Sequence, residues 1–230
     1  MKNIQIFCRQ FFELGGYKNF LKGLSNTANI AVFGLLIGFL LGCIIATVKL
    51  IPSKNPFLKA VQGLCDVYVA LFRGTPMVVQ LLLMHFAIFP MLNIDMESVS
   101  EAMLIFGMNS AAYMSEILRG GINAVDKGQM EAGRSLGFGF GATMLRIVLP
   151  QAIKNILPTL GNEFIALIKE TSVVSFIAVV DITKSFQNIA ASTYEYFVPY
   201  IVLALVYLIL VLLITLLISI MEKRLAKNER

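Results

Sequence analysis

Two stretches of this chain carry no charged residue at all: residues 23–48 and residues 196–221. Each is 26 residues long, about 39 Å of helix at 1.5 Å per residue, enough to cross a ~30 Å hydrocarbon core with some tilt. Between them lie three apolar segments interrupted by charge. Residues 56–92 hold Asp66 and Arg73, with Pro76 placed to bend the segment. Residues 101–118 hold Glu116, and residues 152–180 hold Glu163, Lys169 and Glu170. The pattern predicts five helical spans.

The segment that departs most from this pattern is a polar interruption at 126–150. Asp126 is placed to cap a short helix through Gln129, Met130, Glu131 and Leu136, and Gly137 to stop it in a left-handed conformation. Ala132 and Gly133 leave one side of that helix with little bulk, a shape suited to another protein's groove. A helix that merely turns the chain at the bilayer surface fits the spacing as well. Thr143 to Leu149 resumes an apolar helical pattern, and Pro150 favours a new helix start. Ahead of the first span, residues 1–22 mix Phe7, Phe11, Phe12 and Leu14 with Lys2, Arg9 and Glu13. They read as an interfacial amphipathic segment rather than a cleaved leader. Within the first span Gly34, Gly38 and Gly42 share one helix face, where a neighbouring backbone can approach closely, in packing within the chain or, as the alternative, at a subunit interface.

Composition strengthens the membrane reading. Hydrophobic residues make up 57% of the 230, and charged residues only 14%, against about 25% in a soluble domain. The mean hydropathy is +0.78. The three cysteines are scattered, and His85 is the only histidine, so neither a disulfide framework nor a metal site needing two histidines is indicated. No phosphate-binding loop or dinucleotide fingerprint appears. The chain is therefore expected to carry no cofactor of its own. The net charge of +5 is spread along the chain and does not suggest nucleic acid. With the C-terminus in the cytoplasm, the inner side holds twelve basic residues, among them Lys127, Arg134, Lys223, Arg224 and Arg230. The outer side holds five: Lys2, Arg9, Lys18, Lys22 and Lys184. Four of those five precede the first span and pull the other way. The acidic loop at 95–101 suits the outside, and an odd number of spans puts the N-terminus there too. Residues 23–221 then form the membrane domain and residues 222–230 a basic tail.

A charge inside a membrane costs at least ~2.5–3.5 kcal/mol at a helix centre, so each needs a partner or a wet cavity. Arg73 has the planar fork that grips a carboxylate, and Glu163 is the natural acceptor for an ammonium group, with Asn162 beside it. Gln80, seven residues from Arg73, shares its face if the helix persists through Pro76. These four form a candidate zwitterion site. A structural bridge from Arg73 to Asp66 or another carboxylate is the competing use. Lys169 is expected to meet a carboxylate on another helix or to lie near an aqueous surface, with contact to the solute as the alternative. Glu116 faces either the cavity or the inner boundary beside Arg119. His85 reads as a packing or interface residue, and Met77, Met84 and Met91 as a packing stripe.

Three motifs now carry a resemblance. E-A-G-R-S-L-G at 131–137, followed by I-V-L-P at 147–150, resembles the EAA loop of binding-protein-dependent ABC importer permeases. F-R-G-T-P-M-V-V-Q-L at 72–81 and G-N-E-F-I-A-L-I-K-E-T-S at 161–172 resemble the polar amino acid branch, whose members serve histidine, glutamine, arginine and cystine uptake. The one departure is Gly133, where many members have alanine. The resemblance implies an all-α, five-span type I importer fold in a bacterial cytoplasmic (inner) membrane. It implies two partner ATPases that bind ATP and magnesium, a second permease subunit and an extracytoplasmic solute-binding protein. It also places Glu131, Ala132, Gly133, Leu136 and Gly137 in a coupling helix seated in the ATPase. The rival readings are an ATP-independent ion-coupled carrier or channel and a membrane-bound enzyme, for which no catalytic constellation stands out.

Overall fold

In the computed structural model, residues 2–52 and 54–227 are described. Met1 and Arg230, the latter counted among the inner basic residues, lie outside them. The described residues form helices joined by short connections, with no strand among them, and the layout follows from how closely the glycine face of the first long helix is approached.

That helix, α2 (Gly16–Leu50), has 35 residues. It starts seven residues before the expected span, directly after Gly15, whose φ of +81° is a left-handed conformation that glycine adopts without strain. Its glycines pack on α6 (Ser98–Asn123). A Cβ added at Gly34 would lie 3.1 Å from Phe106 Cβ, at Gly38 2.6 Å from Ser110 Cβ, and at Gly42 2.5 Å from Met114 Cβ. Both partners advance in steps of four and in the same direction, so α2 and α6 run parallel with their backbones nearly touching. The glycines therefore serve packing within the chain.

Parallel neighbours require the chain to return between them. The return begins with α3 (Pro56–Gly74), capped by Asn55, whose side chain accepts from the Phe57 amide at 2.9 Å. Gln62 Nε2 donates to the carbonyls of Val48 and Ile51 and pins α3 beside the end of α2. A continuous helix through Pro76 does not form. Thr75 and Pro76 are extended, as a residue preceding proline prefers to be, and α4 (Met77–Leu83) leaves at 109° to α3. A π turn at Met84–Ile88 and α5 (Phe89–Met91) complete the return.

After α6 come α7 (Lys127–Ser135), α8 (Phe140–Thr143), a π turn at Met144–Val148 and α9 (Leu149–Glu170). Pro150 sits in the first turn of α9, but the helical path enters from the π turn without a break. The π turns at Met84–Ile88 and Met144–Val148 each end two residues before a proline, Pro90 and Pro150. The widened turn accommodates a residue that has no N–H and whose ring collides with the carbonyl four back. α9 runs antiparallel to α6: Gly121 packs on Ile156 at one end, and Ser110 meets Glu163 at the other. A 3₁₀ turn at Thr171–Ile177 leads to α10 (Ile182–Thr193) and then to α11 (Phe197–Lys227). α11 returns antiparallel to α9, with Gly161 against Ile218. The core between α2, α4, α6 and α9 is built from Ile30, Leu81, Ile105, Phe106, Leu167 and Val174.

α1 (Lys2–Cys8) and a π turn at Arg9–Glu13 precede α2. One side of this segment docks on the protein: Phe7 is buried and stacks on Phe11 and Phe186, while Phe12 and Leu14 remain exposed. By length and composition alone, α2 and α11 are apolar enough to cross a membrane, and the bent pair of α3 with α4–α5 passes as a third span. α6 and α9, of 26 and 22 residues, have the length but hold the polar side chains that form the site.

Candidate functional site

α6 is the spine of the polar cluster. Glu116 on α6 gathers basic residues from α2, α3 and its own helix. Lys49 Nζ lies 2.9 Å from Glu116 Oε1 and 2.9 Å from Asp66 Oδ1. Arg119 Nη2 lies 2.5 Å from Glu116 Oε2, and Arg73 Nη1 lies 3.9 Å from the same oxygen. Glu116 thus meets Arg119, three residues on, and also Arg73 of the candidate site. Clustering meets the cost of these charges, because each acid faces at least one base.

Arg73 is the least committed member. Its side chain is 46% exposed, its bridge to Glu116 is at the limit of an ion pair, and its guanidinium sits 5.5 Å over the Tyr113 ring. Most of its five donors remain open for a carboxylate. Glu163, on α9, packs against α6, where Ser110 Oγ donates to its Oε1 at 3.4 Å. Ser110 and Glu116 are six residues apart, a rise of about 9 Å. Arg73 and Glu163, an anion reader and a cation acceptor, thus both contact α6, at positions nearly two turns apart along it. Asn162 is exposed next to Glu163.

Gln80 is placed differently from the expectation. Because the chain bends at Thr75–Pro76, Gln80 does not stack above Arg73. It is buried in the corner, where its amide donates to the Phe72 carbonyl at 2.8 Å and to Thr75. Its Oε1 accepts from Asn109 Nδ2 at 2.8 Å. These bonds satisfy the carbonyls that the break leaves without helical partners, so Gln80 fixes the corner that positions Arg73.

The second candidate region is α7, which forms as expected. Asp126 Oδ1 accepts from the Gly128 amide at 2.6 Å. Gly137 is left-handed at φ +86°, with its N–H bonded to the Arg134 carbonyl and the Phe138 N–H bonded to the Gly133 carbonyl, a Schellman ending. Glu131, Ala132 and Leu136 are exposed, Leu136 at 77%, with Phe138 and Phe140 beyond it. Gly133 departs from the pattern, since it is buried. A Cβ there would lie 2.5 Å from Thr143 Cγ2 and 3.1 Å from Ile147 Cδ1. Its missing side chain lets α7 lie on its own chain, and the outward surface belongs to Glu131, Ala132 and Leu136.

One pair escaped the sequence reading. Glu101, assigned to the acidic outer loop, sits in the first turn of α6 at 6% exposed, where its Oε2 makes a close bond with Nδ1 of His85. The two residues line a cavity of about 650 Å³ with Phe86, Asn93 and Asp95. They come from elements separated by a loop, and a single histidine offers no spacing to read. Lys169 meets no carboxylate on another helix within ion-pair distance among the described residues.

Residues 33–227 match the family described as binding-protein-dependent transport system inner membrane component. The chain is 39% identical over 209 residues to the arginine transport system permease protein ArtQ of Bacillus subtilis (strain 168), covering 91% of this chain and 93% of that one. It is 40% identical over 205 residues to the putative glutamine transport system permease protein GlnP of Rickettsia bellii (strain RML369-C), covering 89% and 92%. A chain in the crystal structure of an amino acid ABC transporter with histidines matches with a TM-score of 0.83 at 39% identity, covering 93% of this chain and 98% of that one.

Proposed function

The chain belongs to the family of binding-protein-dependent transport system inner membrane components, and from that premise we propose that it is the membrane-spanning permease subunit of an ATP-driven importer of polar amino acids. The observation that carries the proposal is α7: a short capped helix with an exposed Glu131–Ala132–Leu136 surface, keyed by Gly133 onto Thr143 and Ile147 and lying in the chain between the helices that carry Glu116 and Glu163.

The chain crosses the bacterial inner membrane five times, by α2, by α3 with α4–α5, and by α6, α9 and α11. The directions of the packed helices alternate as five crossings require. The N-terminus lies outside and the C-terminus in the cytoplasm, so Lys127, Arg134, Lys223 and Arg224 share the inner side with α7. Two ATPase subunits, which bind ATP and magnesium, receive α7 from this chain and from a second permease subunit, a copy or a sister chain. A solute-binding protein delivers the amino acid from outside. Closure of the ATPase dimer moves the two coupling helices together and shifts the pore towards its outward-open state.

In the open path Glu163 accepts the α-ammonium group. Arg73 swings from its loose bridge to Glu116 to take the α-carboxylate bidentately. Asn162 adds a polar contact beside Glu163, and Gln80 holds the corner. The test is uptake by Glu163→Ala in the assembled complex. Loss of transport with the ATPase still bound supports the assignment, and unchanged transport kinetics remove Glu163 from the solute path.

A further inference from the structure

Near the start of α11 is a pocket of about 390 Å³ to which the proposed transport cycle assigns no role. Lys169, at the end of α9, is its cation. Ser172, Thr183, Tyr200 and Tyr207 contribute hydroxyls, and Leu203 and Ala204 form an apolar wall. Thr183 and Tyr207 bond to each other at 3.1 Å, whereas the hydroxyls of Ser172 and Tyr200 have no hydrogen-bond partner among the described residues. Glu170 and Lys169 interact electrostatically, but no acid lies within ion-pair distance of the lysine among the described residues. Glu170 follows it in sequence and points about 100° away around the helix. Asp181 is fully buried and accepts from the amides of Thr183 and Lys184.

The level of the pocket follows from its surroundings. Tyr194, Tyr196, Phe197 and Tyr200 are all exposed around the start of α11, with Lys223 and Arg224 towards its other end. Exposed aromatic residues at one end of an apolar helix mark the boundary between headgroups and acyl chains. Tyr200 belongs to both that belt and the pocket, so the lysine and the free hydroxyls open at headgroup depth. Leu203 and Ala204 continue towards the exposed Leu205, Leu208 and Leu212, the lipid-facing side of α11. A small soluble anion would leave that apolar wall unused.

We propose that this pocket holds an anionic phospholipid, its phosphate on Lys169 with Ser172 and Tyr200 as donors and one acyl chain along Leu203 and Ala204. The proposal rests on the membrane reading and is independent of which solute is carried. The test uses the complete complex in phosphatidylcholine nanodiscs doped with phosphatidylglycerol, with bound lipid read by native mass spectrometry. Phosphatidylglycerol is expected to be retained over phosphatidylcholine. Lys169→Gln should weaken retention about fivefold, the scale of one basic residue at an anionic surface. Lys169→Arg should restore it, and Ala204→Trp should reduce it by filling the trough. Co-purification of the ATPase reports folding in each case. Equal retention by wild type and Lys169→Gln overturns the proposal, as does displacement by soluble glycerol phosphate, which would make the pocket a free-anion site. A chain that cannot be recovered in nanodiscs at all contradicts the membrane reading instead.

Discussion

Gly38→Ala is the sharpest probe of the α2–α6 contact, because the same substitution at Gly63 serves as its control. A Cβ at Gly38 would stand 2.6 Å from both Cβ and Oγ of Ser110 and 3.1 Å from the Ala111 amide nitrogen. None of these atoms is the free end of a flexible side chain, so the two helices must separate. Overpacking of this kind costs about 1–3 kcal/mol. Alanine also returns about 1 kcal/mol by its better helix propensity, leaving Gly38→Ala with a net loss of about 0–2 kcal/mol. Gly63, in α3, has nothing within 4 Å of an added Cβ, so Gly63→Ala should gain about 1 kcal/mol by the same propensity. The gap between the variants, about 1–3 kcal/mol, isolates the close approach. Thermal unfolding of the assembled complex measures it. Uptake adds a second readout, since Ser110 is the donor to Glu163 and must move. Equal stability of the two variants would refute the claim that these backbones touch.

Other positions give independent tests. Gly137→Ala places a side chain at φ +86°, a cost of about 1–2 kcal/mol concentrated at the end of α7; uptake should fall more than expression, and wild-type uptake by Gly137→Arg would remove α7 from coupling. His85→Phe strands the buried Glu101 carboxylate and should cost about 1–3 kcal/mol in thermal unfolding. Adding Glu101→Leu should recover part of that loss, and a purely additive double-variant cycle would show the pair to be uncoupled. Gln80→Leu leaves the Phe72 and Thr75 carbonyls without their donor and should lower stability and uptake together, whereas normal stability would separate Gln80 from the corner.

Much of this arrangement was legible where the sequence states geometry directly. Glycines at 34, 38 and 42 announce a close approach because only a missing side chain permits one. Asp126 and Gly137 announce the two ends of α7 because capping is local chemistry. The start of α2 was not legible in the same way. Tyr17, Lys18 and Lys22 are polar enough to end an apolar run without ending a helix, so hydropathy located the bilayer and not the helix. Pro76 signalled a bend, but the size of a bend depends on what fills the corner, and Gln80 does so through bonds to Asn109, 29 residues away. Gly133 shows the limit of reading size alone. A small residue frees a face, and only packing decides whether that face looks outward or, as here, onto Thr143. The His85–Glu101 pair joins two elements whose register depends on the same corner, so no spacing in the chain could reveal it.

The account turns on what α7 touches, and one crosslinking measurement addresses that directly. In a variant with Cys8, Cys43 and Cys65 replaced by serine, cysteines are introduced singly at Leu136, 77% exposed at the end of α7, and at Phe12 as a control at the N-terminal end. The complex is then treated with a short thiol crosslinker in sealed membranes. The account predicts that Leu136→Cys forms an adduct with an ATP-hydrolysing partner, that ATP changes its yield, and that Phe12→Cys forms none. Labelling of the Leu136 position only from the extracellular face, or an adduct pattern indifferent to the ATPase, would contradict it.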